Sequence, residues 1–301
     1  MKKPKFENLL LLHLIVFIFG FTGIIGKLIE TYSDVLVWWR MAIASVTIAA
    51  FAYPAGKIKK SLLKNAGVYV LVGFVIAAHW VTFFEAIKVS NVSVTLACLS
   101  AASLFTAILE PIFFRRRIDS YEVIFGLMVI TGLVLIFSFE TEYKLGIGLA
   151  LIAAFLASLF TTINGKLIKK DNPYRISLVE MIAGVLGITI WLGVDGGLNA
   201  NMFFLPAWDW FWIFILGSVC TAFAFVVSVK VMEELTPFTV SLTINLEPVY
   251  GIILAFFIFG QSEKMTFGFY GGTALILGAL YLNTLLKKGK LKRRKSKIAP
   301  Q

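Results

Sequence analysis

Of the 301 residues, 59% are hydrophobic and 15% are charged, whereas soluble globular proteins are roughly 45–50% apolar and about 25% charged. A soluble domain of this size could not bury so much apolar surface, so the composition excludes one and predicts an integral membrane protein. The formal net charge is +11, but the basic residues lie in short tracts between apolar segments and in a tail from Lys287 to Lys297. Such tracts orient membrane helices and contact the anionic headgroups of the lipid bilayer, which argues against a nucleic-acid partner.

The apolar residues form ten continuous segments, each close to the roughly 20 residues that a helix needs to cross a bilayer. Continuous runs exclude a transmembrane β-barrel, whose strands alternate. The first run superficially resembles a signal peptide, but it is long enough to span a membrane and lacks a small-x-small cleavage site. We therefore predict an all-α integral membrane protein with ten transmembrane helices: Leu9–Ile29, Val35–Tyr53, Ala66–Phe84, Val92–Phe114, Tyr121–Phe139, Leu145–Leu167, Ile176–Val194, Trp210–Val229, Phe238–Phe259 and Phe267–Leu286.

The basic residues favour one side of the membrane, and the positive-inside rule then places both termini in the cytoplasm. The residues on the minority side are Lys27, Arg40, Lys88, Lys144 and Lys264. The cytoplasmic side holds the tail and Lys2, Lys3, Lys5, Lys57, Lys59, Lys60, Lys64, Arg115, Arg116, Arg117, Lys166, Lys169, Lys170, Arg175 and Lys230.

One nine-residue motif occurs twice: Phe21–Ile29 and Phe160–Ile168 agree at seven of nine positions without a gap. Further pairs at offsets of 140 to 146 are Arg40–Ala42 with Glu180–Ile182, Gly73 with Gly217, Gly126 with Gly271, and Gly132 with Gly278. Five crossings in each copy would make the second copy enter from the opposite side. The sequence therefore predicts two inverted five-helix repeats, residues 1–140 and 141–286, and a basic cytoplasmic tail, residues 287–301.

Inverted repeats favour a particular kind of function. Two similar bundles can rock about a site between them and expose it to each side in turn, as secondary transporters do. We expect a transporter of a small molecule, with no catalytic role and no cofactor. A membrane-embedded enzyme acting on a lipid or lipid-linked substrate is the alternative, although two histidines without a His-x-x-x-His cluster exclude a multi-histidine metal site. The sequence is silent on substrate identity, coupling ion, direction of transport and oligomeric state.

The combined pattern resembles the drug/metabolite transporter superfamily, specifically its EamA-type members with ten helices. The residues that carry the resemblance are Gly26–Lys27, Arg40–Ala42, Phe84–Lys88, Leu235–Pro237, Glu247–Val249 and Gly278. This chain departs from the family at Ser103–Leu104, where a Pro-Val-like pair is frequent, and at Gly260–Gln261, where a Gly-Glu pair is common. The resemblance implies export of amino acids or related metabolites across a bacterial plasma membrane, driven by an ion gradient or by the substrate's own gradient.

Ionisable groups at membrane depth normally face a cavity or a partner. Glu247 lies about nine residues into its predicted helix, beside Pro248 and near Asn245. Because proline removes a backbone hydrogen bond, it frees a carbonyl one turn earlier. Glu247 either holds a substrate amine or a coupling proton, or forms a structural pair with a buried cation such as Arg40.

Other candidates are open to two interpretations. His79 could serve proton-linked transport, with Trp80 as an aromatic wall, but a neutral histidine bonded across helices is favoured. Arg40 is also a candidate for substrate or ion binding, but extension of its charge to the interface is favoured. Lys27 and Lys166 either extend to the interface in the same way or are charges at helix C-termini. Glu110 has the spacing of a local ion pair with Arg115–Arg117. Asn164–Gly165 could break a helix at the cavity or merely end it.

Overall fold

The structure, a computed structural model, describes residues 6–58, 66–115 and 120–296. These residues form helices and contain no β-strand. The helices are α1 (Phe6–Leu28), α2 (Ser33–Ala52), α3 (Ala66–Val89), α4 (Val92–Leu99), α5 (Ala102–Phe114), α6 (Ser120–Phe139), α7 (Lys144–Leu167), α8 (Pro173–Asp195), α9 (Ala207–Gly217), α10 (Ala224–Val231), α11 (Pro237–Ile244), α12 (Glu247–Phe259) and α13 (Phe267–Ser296). A π-helical segment, Ser218–Phe223, joins α9 to α10.

Several basic residues behind the predicted orientation lie outside the described residues: Lys2, Lys3, Lys5, Lys59, Lys60, Lys64, Arg116, Arg117 and Lys297. The same holds for the last residues of the predicted tail, 297–301.

Apolar length identifies the membrane segments. Within the described ranges, eight helical segments are long and apolar enough to cross a bilayer, and two shorter apolar helices, Ile124–Phe139 and Phe267–Ala279, accompany them. The protein is therefore an integral membrane protein whose regular secondary structure, in the described ranges, is entirely helical. The α3 helix continues five residues beyond its predicted end at Phe84, and Asn164–Gly165 lies inside α7 rather than at a helix break.

Two of the predicted helices are divided in the structure. The segment Val92–Phe114 breaks between α4 and α5, where Ala101 donates its N–H to the Cys98 carbonyl at 3.0 Å in a tightened turn. The segment Phe238–Phe259 breaks between α11 and α12, where Leu246 bonds to the Thr243 carbonyl at 3.0 Å. In the second break Pro248 lacks the N–H that would bond to the Ile244 carbonyl, so the α-helical ladder cannot continue.

Small residues allow the helices to pack closely, as is usual in membranes. The Cα of Gly73 in α3 packs directly on the backbone of α8 at Glu180, and Gly217 packs on the backbone of α2 at Arg40. A side chain at Gly73 would collide with the Glu180 carbonyl, and one at Gly217 would collide with the Ile43 side chain next to the Arg40 carbonyl. Both contacts hold α2, α3, α8 and the α9–α10 segment together around one side of the molecule.

Candidate functional site

A cavity of about 100 Å³ lies where the two helix breaks meet. Leu99, Ser100 and Ala102 line it from the first break, and Ile244, Asn245, Glu247 and Pro248 line it from the second. Further walls come from α1, α2, α3, α7 and α10, so both halves of the chain contribute. A water molecule needs about 10–15 Å³ of such space, and the cavity therefore has room for several waters or a small metabolite.

Arg40 supplies the positive charge of this cavity. Its side chain is 1% exposed, its Nε donates to the Thr221 hydroxyl at 2.5 Å, and its guanidinium lies 4.0 Å from the centre of the Trp80 ring. The Nη1 atom has no hydrogen-bond partner among the described residues. The expectation that Arg40 extends to the membrane interface is wrong, because a hydroxyl and an aromatic ring stabilise the cation in the interior.

Glu247 supplies the carboxyl group of the cavity. It is the first residue of α12 and is buried, and within the described part of the chain no group donates a hydrogen bond to its carboxylate. Arg40 and Glu247 line the same cavity, but no nitrogen of Arg40 lies within 4.0 Å of a Glu247 carboxylate oxygen in the described structure. The direct structural pair is therefore absent, and the neighbouring Asn245 also has an amide nitrogen, Nδ2, without a partner among these residues.

His79 and the aromatic residues form the remaining wall. The His79 Nδ1 atom lies 2.8 Å from the Ala153 carbonyl of α7. Since a carbonyl oxygen can only accept, Nδ1 carries the proton and Nε2 is left as an acceptor. This is the hydrogen bond between helices that we expected from the sequence. The His79 ring also packs near Phe83 and Phe160, with centroids 6.2 and 5.4 Å away.

All six predicted site residues, namely Glu247, Asn245, Pro248, His79, Trp80 and Arg40, line this cavity. Sequence reasoning missed Thr221, whose hydroxyl accepts from Arg40. The signal was weak, because a π-helical turn has no clear sequence signature; such turns nevertheless occur often at functional sites. It also missed Phe160 and Phe225, which look like ordinary lipid-facing residues in a hydrophobic run.

An ion pair lies farther along α1 than the cavity-lining residues. Lys27, little more than a turn beyond the cavity-lining Thr22 of α1, lies 2.8 Å from Glu263 and 4.4 Å from the centre of the Phe259 ring. Glu263 also accepts hydrogen bonds from the backbone N–H groups of Val92 and Ser93, at 3.2 and 2.9 Å. One carboxylate therefore joins α1, the start of α4 and the short 3-10 turn Gly260–Glu263 that follows α12.

The other candidates lie around the cavity. Lys166 lies 5.6 and 5.8 Å from the ring centres of Phe113 and Phe114. Glu110 accepts a hydrogen bond of 2.7 Å from the Phe238 N–H at the start of α11, a contact between the two halves of the chain. Its local pairing with Arg115–Arg117 stays a prediction, because Arg116 and Arg117 lie outside the described residues. Asn164 lines the cavity and donates to Glu180 at 3.2 Å.

Known proteins resemble this chain over most of its length. The model of the EamA-like transporter family matches residues 8–138 and residues 144–285. An uncharacterized transporter of Clostridium kluyveri is 22% identical over 239 residues, 74% of this chain and 75% of the relative. An uncharacterized transporter of Archaeoglobus fulgidus is 24% identical over 251 residues, 81% and 85% of the two chains. A solved crystal structure of a protein with 16% identity has a TM-score of 0.68 and covers 93% of this chain and 98% of its own, which shows a shared fold.

Proposed function

The chain belongs to the EamA-like transporter family, and we propose that it is a secondary transporter that exports amino acids or related small metabolites by alternating access. The observation that carries this proposal is the central cavity. Its Arg40 guanidinium and Glu247 carboxyl group are groups of opposite charge type, are both buried, and do not form an ion pair with each other.

The proposed architecture is ten transmembrane helices in two inverted repeats, residues 1–140 and 141–286. Reciprocal contacts support it: Gly73 packs on Glu180, and its predicted mate Gly217 packs on Arg40, the predicted mate of Glu180. In the same way, Lys27 lies over Phe259 while Lys166 lies near Phe114. The family model also matches the chain in two stretches, one in each proposed repeat. We place both termini in the cytoplasm of a plasma membrane, following the distribution of basic residues.

The proposed binding mode matches each end of a zwitterion to one charge. The Arg40 guanidinium donates to the substrate carboxylate, for which its planar geometry is suited. The Glu247 carboxylate accepts from the substrate ammonium group, and the His79 Nε2 atom offers a second acceptor. The rings of Trp80, Phe160 and Phe225 provide an apolar surface for the remainder of the substrate.

Counterflow in proteoliposomes tests the function. Vesicles containing the full chain and loaded with a mixture of unlabelled amino acids are diluted into a trace of the labelled mixture, and we expect transient accumulation that empty vesicles do not show. Absence of accumulation for every labelled amino acid would contradict the proposed substrate class.

Competition then tests the binding mode. We expect amino acids to compete with the label, and expect analogues lacking the amine or the carboxylate to compete at least tenfold less well, because each leaves one buried charge unpaired. Equal competition by a simple amine would contradict the assignment of Arg40 to the substrate carboxylate.

A further inference from the structure

The buried carboxylates of this protein differ in the hydrogen-bond donors that surround them. Glu263 receives Lys27 and two backbone N–H groups. Glu140 receives the Thr266 N–H at 2.9 Å and the Thr266 hydroxyl at 2.6 Å. Donors of this kind satisfy the hydrogen-bonding capacity of a buried carboxylate and fix its position, which gives it a structural role.

Glu180 has no such set. It lies in the second turn of α8, is 0% exposed, and receives only the Asn164 amide, at 3.2 Å to Oε2. Its Oε1 atom and the Oδ1 atom of Asn164 have no partner in the described part of the chain. A buried carboxyl group with one neutral partner is costly to retain for stability alone, and such groups within membrane segments commonly mark ion or proton pathways.

The other titratable groups near Glu180 make their hydrogen bonds and ion pairs with other residues. Tyr69 of α3 interacts with Glu180, but its hydroxyl donates to Asp171 at 3.0 Å. Arg175, one helical turn before Glu180, pairs with Asp171 at 2.6 Å. Of the other charged or titratable groups on the neighbouring helices, Arg40 of α2 donates to Thr221, Lys166 of α7 lies near Phe113 and Phe114, and Lys230 of α10 is exposed. His79 of α3 bonds to the Ala153 carbonyl, and Asp34 and Lys144 lie in the first turns of α2 and α7.

Asn164 gives Glu180 a route to the cavity, because the amide both lines that cavity and contacts the carboxyl group. In the structure the amide nitrogen donates to the Glu180 carboxyl group, an arrangement that suits an ionised Glu180. A protonated Glu180 can instead donate to the amide oxygen, which requires the amide to rotate and exchanges donor and acceptor. The protonation state of Glu180 thereby changes the hydrogen-bonding character of one cavity wall.

We propose that Glu180 is the proton-binding residue that couples transport to a proton gradient, with Asn164 as the positioning residue between it and the cavity. This inference rests on the transport function proposed above. The proton is taken from water on one side of the membrane, held on the Glu180 carboxylate, and released to water on the other side. No other bond changes.

The test separates exchange from coupling in proteoliposomes, with a labelled mixture of the standard amino acids as the probe. Counterflow is measured without a pH gradient, and net uptake with one. We expect wild type to show both, and Glu180→Gln to keep counterflow within about twofold while an imposed pH gradient no longer drives accumulation. The matched control Glu140→Gln, in which a buried carboxylate away from the cavity is changed, keeps both activities.

The outcomes are distinguishable. If a pH gradient drives accumulation in Glu180→Gln at the wild-type level, this proposal alone is overturned. The same holds if wild type shows normal counterflow but no accumulation driven by a pH gradient. Absence of counterflow in wild type overturns the transport function and this proposal with it. If Glu180→Gln does not yield monodisperse protein, Asn164→Ala replaces it: we expect a shifted pH profile of uptake with an unchanged maximal rate, and an unshifted profile overturns the proposal.

Discussion

The two helix breaks that meet at the cavity have the same backbone role and different chemistry. The first, between α4 and α5, presents Leu99, Ser100 and Ala102 and no charge. The second, between α11 and α12, presents Asn245 and Glu247 together with Pro248. The breaks therefore share a position in the fold, but the capacity to bind a charged group lies in the second.

The two breaks therefore contribute differently to the cavity. A break in a membrane helix exposes backbone groups where they can line a cavity, and transporters use such breaks for binding. Ser100 donates its hydroxyl back to the Leu96 carbonyl at 3.4 Å, so the first break satisfies its own polar groups and mainly contributes space. The second break keeps the Glu247 carboxylate and the Asn245 amide nitrogen available. The three substitutions below test this asymmetry.

Glu247→Gln should have the largest effect. It keeps the size of the side chain and removes the charge, so a substrate ammonium group loses a charge-assisted hydrogen bond of about 1.5–3 kcal/mol. We expect the half-saturating amino-acid concentration in counterflow to rise about 10- to 100-fold. An unchanged concentration would show that Glu247 does not contact the substrate amine.

Ala102→Leu should have an intermediate effect through volume alone. The larger side chain occupies part of a cavity of about 100 Å³, and we expect the counterflow rate to fall several-fold while the protein remains monodisperse. Ala78→Leu makes the same substitution at an exposed position of α3 and should leave the rate unchanged. Equal rates in the two variants would remove Ala102 from the substrate path.

Ser100→Ala should have the smallest effect. Because the hydroxyl already donates within its own helix, we expect the half-saturating concentration to change by less than about twofold, the range of a weak neutral hydrogen bond. A tenfold increase would instead place a polar substrate group at the first break and make the two breaks alike in function.

Much of the site could be predicted because burying an ionisable or polar group at membrane depth is costly, and that cost can be read from local sequence. Glu247, His79 and Arg40 are conspicuous within apolar segments, and Pro248 indicates a helix that lacks one backbone hydrogen bond. The Ser100 break has no comparable signal, since it contains neither proline nor glycine. The partner of Arg40 could not be predicted either, because Thr221 is 181 positions away along the chain.

Apolar segments, their lengths and the repeated motif required no tertiary information, since the bilayer selects helices by length and hydrophobicity. The burial of Arg40, the donor-poor surroundings of Glu180 and the meeting of the two breaks depended on which distant segments pack together. These features arise because a buried charge takes whatever hydroxyl, amide or aromatic ring the neighbouring helices present, and only packing decides which helices are neighbours.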